Sequence, residues 1–165
     1  RGTTAPAGPG SPATVTAGSV DLLFALSAPP DEPTIPADLT LRPVDHDWMT
    51  AEQASNRFEN AVGELHDADH RIQRNYRGFA LFDSSGEPLA VAGIFDTLGL
   101  HEIGVDVTPA SQGRHLAPIV VAAATRAALN DGGTPMYACS ATNTRSQRTA
   151  LAAGYLPIGA DATVH

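Results

Sequence analysis

A chain of 165 residues, 42% hydrophobic and 17% charged, is long enough for one domain with its own core and too apolar to stay disordered. Eighteen acids against ten bases give a formal charge of −8, and every base is arginine; this acidic balance argues against sequence-independent nucleic-acid binding. One cysteine, Cys139, excludes an internal disulfide framework and a multi-cysteine zinc site, and no apolar run reaches the roughly 18 residues of a membrane span. With no signal-like N-terminus either, the expected compartment is the cytoplasm.

Apart from Arg1 and Val15, residues 1–18 are Ala, Pro, Gly, Ser and Thr, a composition with too little apolar bulk to offset its ordering entropy. They read as a flexible extension. Val20–Leu26 interrupts it as a short apolar run with strand character. Eight of the thirteen prolines fall within the first 43 residues, which places the start of the compact domain near Asp38 and divides the chain into 1–37 and 38–165. Leu39–Val44 reads as a strand, and Met49–Gln73 as helical with Thr50 as its N-cap. Phe79–Phe82 and Leu89–Phe95, joined by Ser84-Ser85-Gly86-Glu87, form a hairpin. Ile103, Val105 and Val107 alternate with Glu102, Gly104 and Asp106 in a period-2 strand closed by Pro109.

Leu116, Ile119, Val120, Ala123 and Ala127 then fall on one helical stripe, whose small alanines permit close approach to a sheet. Asp131-Gly132-Gly133 ends that helix. Met136–Ser140 is the next strand, Asn143–Ala153 a second helix stopped by Gly154, and Tyr155–Gly159 and Ala162–His165 are extended. The order predicts an α/β (α+β) fold: a single domain with a mixed sheet of about six to seven strands flanked by helices.

Chemistry concentrates between Glu102 and Tyr155. Gln112-Gly113-Arg114-His115-Leu116-Ala117 sits at a strand-to-helix junction, where unpaired N–H groups and the positive end of the helix dipole suit a pyrophosphate. Arg114 adds a guanidinium. The plain alternative is an ordinary β-α turn. Charge supports the anion site: residues 1–110 hold 16 acids and 6 arginines, net −10, whereas residues 111–165 hold 2 acids and 4 arginines, net +2. Neither a Walker loop nor a dinucleotide glycine fingerprint is present. His66 and His70 stand at helical i, i+4 spacing, but no third ligand is evident and no metal is expected.

This stretch resembles the GNAT superfamily of N-acetyltransferases, whose signature Q/R-x-x-G-x-G/A lies between the family's fourth strand and the next helix. Gln112 and Ala117 match its ends, with His115 in place of the central glycine and Gly113 earlier in the loop. Asn143, Ser146 and the Gly154-Tyr155 pair match the family's later Asn-led helix. The likeness extends over roughly residues 39–165. It implies an acetyl-CoA cosubstrate, its pyrophosphate cradled by Gln112, Gly113, Arg114, His115, Leu116 and Ala117. His115 is then tolerated if its φ is negative or the loop has shifted. The acetyl-thioester arm would lie along Val105, Asp106 and Val107, and Asn143 would contact the pantetheine.

An amine nucleophile must lose a proton, and Glu102 is the candidate base, with Asp106 second. Members of the family often carry a tyrosine seven residues after the leading Asn to protonate the CoA thiolate. That position is Ala150 here, which leaves Ser146, Tyr155, Cys139 or water as the acid. The implied activity is acetyl transfer to a primary amine, on a small molecule or a peptide; the alternatives are a non-catalytic acyl-CoA-binding or regulatory domain, or a protein-interaction module. Neither nucleic acid nor membrane is an expected partner, whereas a homodimer is. Because the family has a further strand well beyond the Gly-Tyr pair, Val20–Leu26 is expected to complete the sheet, from this chain or a second copy.

Overall fold

The computed structural model describes residues 18–62, 77–97 and 99–163. In chain order the elements are β1 (Ser19–Leu26), β2 (Thr40–Val44), α1 (His46–Gln53), α2 (Glu59–Val62), β3 (Arg77–Phe82), β4 (Pro88–Thr97) and β5 (Leu100–Val107). They continue with α3 (Ala117–Asn130), β6 (Pro135–Ser140), α4 (Thr144–Ala152) and β7 (Tyr155–Thr163). The strands make one mixed sheet in the order β2-β3-β4-β5-β6-β1-β7, antiparallel at every pairing except β5 with β6. Residues 1–17, and with them nearly all of the expected extension, lie outside the described residues. So do residues 63–76, which include His66 and His70, and the last two of Ala162–His165.

Strand alternation sorts the core into two layers. Leu81, Ala90, Ala92, Ile94 and Ile103 point to the face covered by α3 and α4, while Ala80, Phe82 and Val91 point to the face covered by α1 and α2. The two extended pieces expected after Gly154 are a single strand, β7.

β1 decides how the sheet is completed. Asp21–Ala25 pairs with Ser140–Met136 on one side, and Ser19–Leu26 runs against Thr163–Tyr155 on the other. The strand comes from this chain, and the sheet takes in residues well before the boundary placed near Asp38. Phe24, 2% exposed, meets Tyr137 edge-on at 6.2 Å between ring centroids, anchoring the strand to the α3 layer. Reaching β2 at the far edge requires residues 27–39 to cross about 24 Å of sheet, five strand spacings, well within the chain's extended reach. The proline-rich connection makes that crossing over α3: Arg126 donates to the Pro30 carbonyl at 2.9 Å, and Ile35 packs on the core.

This strap explains a difference in α3. The single stripe expected from spacing is wider in the structure, with Val120 to Thr125 and Ala128 all buried while Ile119 and Ala127 are only half-buried. The helix packs against the sheet, α4 and the strap, so most of its circumference is covered. The α1 cap differs as well. Asp45, in extended backbone, accepts from the Trp48 amide at 3.0 Å, and Thr50 lies inside the helix with its hydroxyl donating to the His46 carbonyl at 2.8 Å.

Because Phe24 is buried in a strand paired on both edges, Phe24→Ala should destabilise the fold by about 3–5 kcal/mol in urea denaturation. A loss below about 1 kcal/mol would show that β1 is not an integral part of the sheet.

Candidate functional site

β5 and β6 run parallel but pair only at His101 with Pro135 and Glu102 with Met136. Beyond that rung they part. Residues 103–107 of β5 and 137–140 of β6 become the walls of a cleft of about 1100 Å³, which continues to the start of α3 and along α4. A parting of parallel strands leaves ladder N–H and C=O groups facing each other across open space. An extended ligand with amides of its own can satisfy them.

The α3 end of the cleft is shaped by the loop after β5. A short 3₁₀ turn at Pro109–Ser111 leads to Gln112 in extended backbone, Gly113 at φ +85° and His115 at φ +58°. Of the two conditions set for His115, a negative φ or a shifted loop, the first is not met: the position keeps the conformation that glycine adopts without cost, and histidine adopts it with strain. No side chain caps α3, whose second residue is Pro118, so its N-terminal dipole opens into the cleft. Gln112, Gly113, His115, Leu116 and Ala117 line this end. Arg114 is not among the lining residues. Its guanidinium donates instead to Asp38 at 2.8 Å, a partner 76 positions away that ties the loop to the strap. Among the described residues the arginines lining the cleft are Arg145 and Arg148 of α4, and His115 lines it as well.

Glu102 stands at the vertex, on the last rung that β5 and β6 share, and lines the cleft. Ile103 points to the α3 layer, so Glu102, Gly104 and Asp106 point to the α1–α2 face. α2 is drawn close there: a Cβ on Gly104 would drive into the Asn60 carbonyl. Asp106 fastens the contact, accepting from the Asn60 amide at 2.6 Å, the Asn60 side chain at 2.7 Å and the Ala61 amide at 2.8 Å. Burial raises the Asp106 pKa, and these three donors oppose the rise. Both carboxylate oxygens are therefore engaged in holding α2. Val105 and Val107 line the cleft with Asp106 and also pack on the α3 layer.

On the opposite wall Asn143 caps α4, its side-chain oxygen accepting from the Ser146 amide at 3.1 Å. Ser146 faces the cleft, with its hydroxyl 2.7 Å from the Tyr137 hydroxyl. Tyr155 is placed elsewhere. It is fully buried, 2.7 Å from the Thr125 hydroxyl beneath the sheet, and does not line the cleft. Burial pushes its phenol up to about 12. Ala150 is buried in the same cluster. Sequence reasoning passed over Tyr137 and Asn60. The signal for Asn60 was Gly104, a glycine inside a strand; nothing local marked Tyr137. Among the described residues no group of three or more His, Cys, Asp or Glu is placed to hold a metal, and no helix is long and apolar enough to cross a membrane.

His115→Gly should leave stability unchanged or raise it by up to about 1 kcal/mol, whereas His115→Val should lower it by about 1–2 kcal/mol. Thermal unfolding of the two variants checks this, and equal effects would contradict the left-handed loop. Tyr155→Phe strands the buried Thr125 hydroxyl and should cost about 1–3 kcal/mol. If instead the variant were as stable as the parent but specifically impaired at the cleft, Tyr155 would have to reach it.

The family profile described as "Acetyltransferase (GNAT) domain" matches residues 38–156. No curated protein matches the chain. Solved structures share its fold at low identity. A GCN5-related N-acetyltransferase from Sphaerobacter thermophilus aligns at 16% identity with a TM-score of 0.66, covering 92% of this chain and 52% of that one. A putative GNAT-family acetyltransferase from Novosphingobium aromaticivorans aligns at 18% identity with a TM-score of 0.65, covering 95% and 70%. A GCN5-related N-acetyltransferase from Kribbella flavida gives 18% and 0.58, covering 92% and 58%. The chain thus spans between half and about two thirds of the length of these proteins. The parting of two parallel strands, the uncapped helix behind it and the match over residues 38–156 agree: this chain belongs to the GNAT acetyltransferase family.

Proposed function

We propose that the chain transfers an acetyl group from acetyl-CoA to a primary amine by direct attack. The observation that carries this reading is the cleft between β5 and β6, with a carboxylate at its vertex and an uncapped helix N-terminus at its other end. The amides of Gln112 to Ala117 and the α3 dipole suit a pyrophosphate, with Arg145 and Arg148 adding positive charge. The pantetheine arm would then run between the parted strands beside Asn143. Backbone N–H groups along Val105, Asp106 and Val107 polarise the thioester carbonyl.

The acceptor arrives as an ammonium, which has no lone pair with which to attack. Glu102 takes its proton, directly or through one water, and the neutral amine adds to the carbonyl. The adduct nitrogen then gives up its second proton to water, the C–S bond breaks, and the electron pair leaves on sulfur. A free thiol ionises near 8.5, so this thiolate is a fair leaving group. Asp106 is the weaker choice of base because its oxygens hold α2. Asp21, Glu102 and Asp106 give the cleft an acidic side that favours a cationic acceptor, either a small amine or a peptide amine. A second reading, a non-catalytic acyl-CoA-binding or regulatory domain, is favoured by one observation: position 150, where relatives often carry a tyrosine, is a buried alanine.

Acetyl-CoA at ~100 times its Kd should stabilise the protein by about 2.7 kcal/mol. That corresponds to a rise in Tm of roughly 5–11 °C for a chain of this size. Glu102→Gln should keep this shift and lower kcat about 100-fold or more across an amine panel assayed by CoA release. Absence of any shift at millimolar acetyl-CoA would refute cofactor binding. A shift without turnover would select the regulatory reading, and unchanged turnover in Glu102→Gln would remove Glu102 as the base.

A further inference from the structure

Tyr137 and Ser146 form a partly buried hydroxyl pair on the cleft wall for which neither the fold nor the steps above have a use. Tyr137 is 1% exposed, and its hydroxyl lies 2.7 Å from that of Ser146; both residues line the cleft. We infer that Tyr137 is a positioning residue for acyl transfer: its phenol donates to Ser146 and turns the serine proton toward the sulfur that leaves the thioester. This rests on the acetyl-CoA reading.

The donor direction follows from acidity. A phenol is a far stronger acid than an aliphatic alcohol, so Tyr137 donates and the Ser146 oxygen accepts. The one Ser146 proton is then available to a third atom in the cleft, which Ser146 and the Cys139 thiol both line. The serine hydroxyl thus stands on the wall where a thioester would lie. Two fixed contacts hold it there. Asn143 anchors the Ser146 amide at 3.1 Å, and the Tyr137 ring is packed between Phe24 and Tyr155, at centroid distances of 6.2 and 5.8 Å. Burial pushes the Tyr137 phenol up to about 12, so it keeps its proton and remains a donor across the working range of pH.

The step balances without proton transfer from either hydroxyl. The amine nitrogen bonds the acetyl carbon and releases its surplus proton to water, the C–S bond breaks, and its electron pair stays on sulfur. The Ser146 O–H donates a hydrogen bond to that thiolate, which picks up its proton from water after release. The pair fills the role left open by Ala150 with a hydrogen-bond donor in place of an acid.

The test compares the parent with Tyr137→Phe, Ser146→Ala, the double variant and Ser146→Thr, each first checked for folding by its Tm and for the acetyl-CoA-induced shift. A hydrogen bond to a charged group predicts a fall in kcat of about 10-fold or more for each single variant, with KM for acetyl-CoA within about twofold of the parent. The double variant should be no worse than Ser146→Ala, because Tyr137 acts through the serine, and Ser146→Thr should recover most of the rate. The thiol of bound CoA, followed by thiolate absorbance against the desulfo-CoA complex, should titrate about one unit higher in Tyr137→Phe than in the parent. Parental kcat and an unmoved thiol titration in a folded Tyr137→Phe would overturn the inference alone. Losses that add in the double variant would do the same. A parent that neither binds acetyl-CoA nor releases CoA would remove the acetyl-transfer reading, and the inference with it.

Discussion

The parting of β5 from β6 after a single stretch of pairing is the constraint from which the rest of the site follows. Each strand is held firmly on its outer edge, β5 by β4 along its whole length and β6 by β1 from Asp21 to Ala25, so neither needs the other for its ladder. α2 reinforces the separation by sitting on β5 at Gly104, where the absent Cβ admits the helix backbone and Asp106 binds its first turn. Backbone groups left facing each other would be costly in a dry interior, at about 1–3 kcal/mol each, so the gap must open to solvent or to a ligand. Its position beside the start of α3 makes it a site.

β1 gives that arrangement an unusual source of support. The strand beside β6 comes from the N-terminal side of the chain, reached by a proline-rich strap that crosses the outer surface of α3. The same strap supplies Asp38, which takes the Arg114 guanidinium away from the cleft and fastens the α3 loop from behind. One segment therefore braces the β6 wall and steadies the loop at the far end. It also adds an acid, Asp21, to the lining.

What was legible in the sequence was local. The alternation of Glu102 to Val107, the turn into α3, the Asn143 cap and the apolar run at Val20–Leu26 all carry their meaning within a few residues, and each has its place in the structure. What could not be read depends on partners distant in the chain. Tyr155 follows a glycine stop as relatives do, but its hydroxyl is taken by Thr125 across the core; Arg114 looked like a phosphate ligand until Asp38 was placed beside it. Tyr137 was one apolar residue in a short strand, and only packing revealed that its hydroxyl meets Ser146. The backbone of His115 could not be read for another reason: the loop holds the left-handed geometry of a glycine turn and the side chain conforms to it. The charge also resolves spatially. A chain of −8 brings Arg145 and Arg148 of α4 and His115 of the α3 loop into the cleft lining and keeps Glu102 and Asp106 on the α1–α2 side, an arrangement that suits the proposed anionic donor and cationic acceptor.

The central claim is that the gap between β5 and β6 receives the acetyl-CoA arm while the α3 loop holds its phosphates. Amide chemical-shift mapping on titration with acetyl-CoA tests this most directly. The account predicts the largest perturbations at residues 103–107, 112–117 and 137–140, with little change along β2, β3 and β7. Perturbations confined to another surface, or none at millimolar ligand, would contradict it.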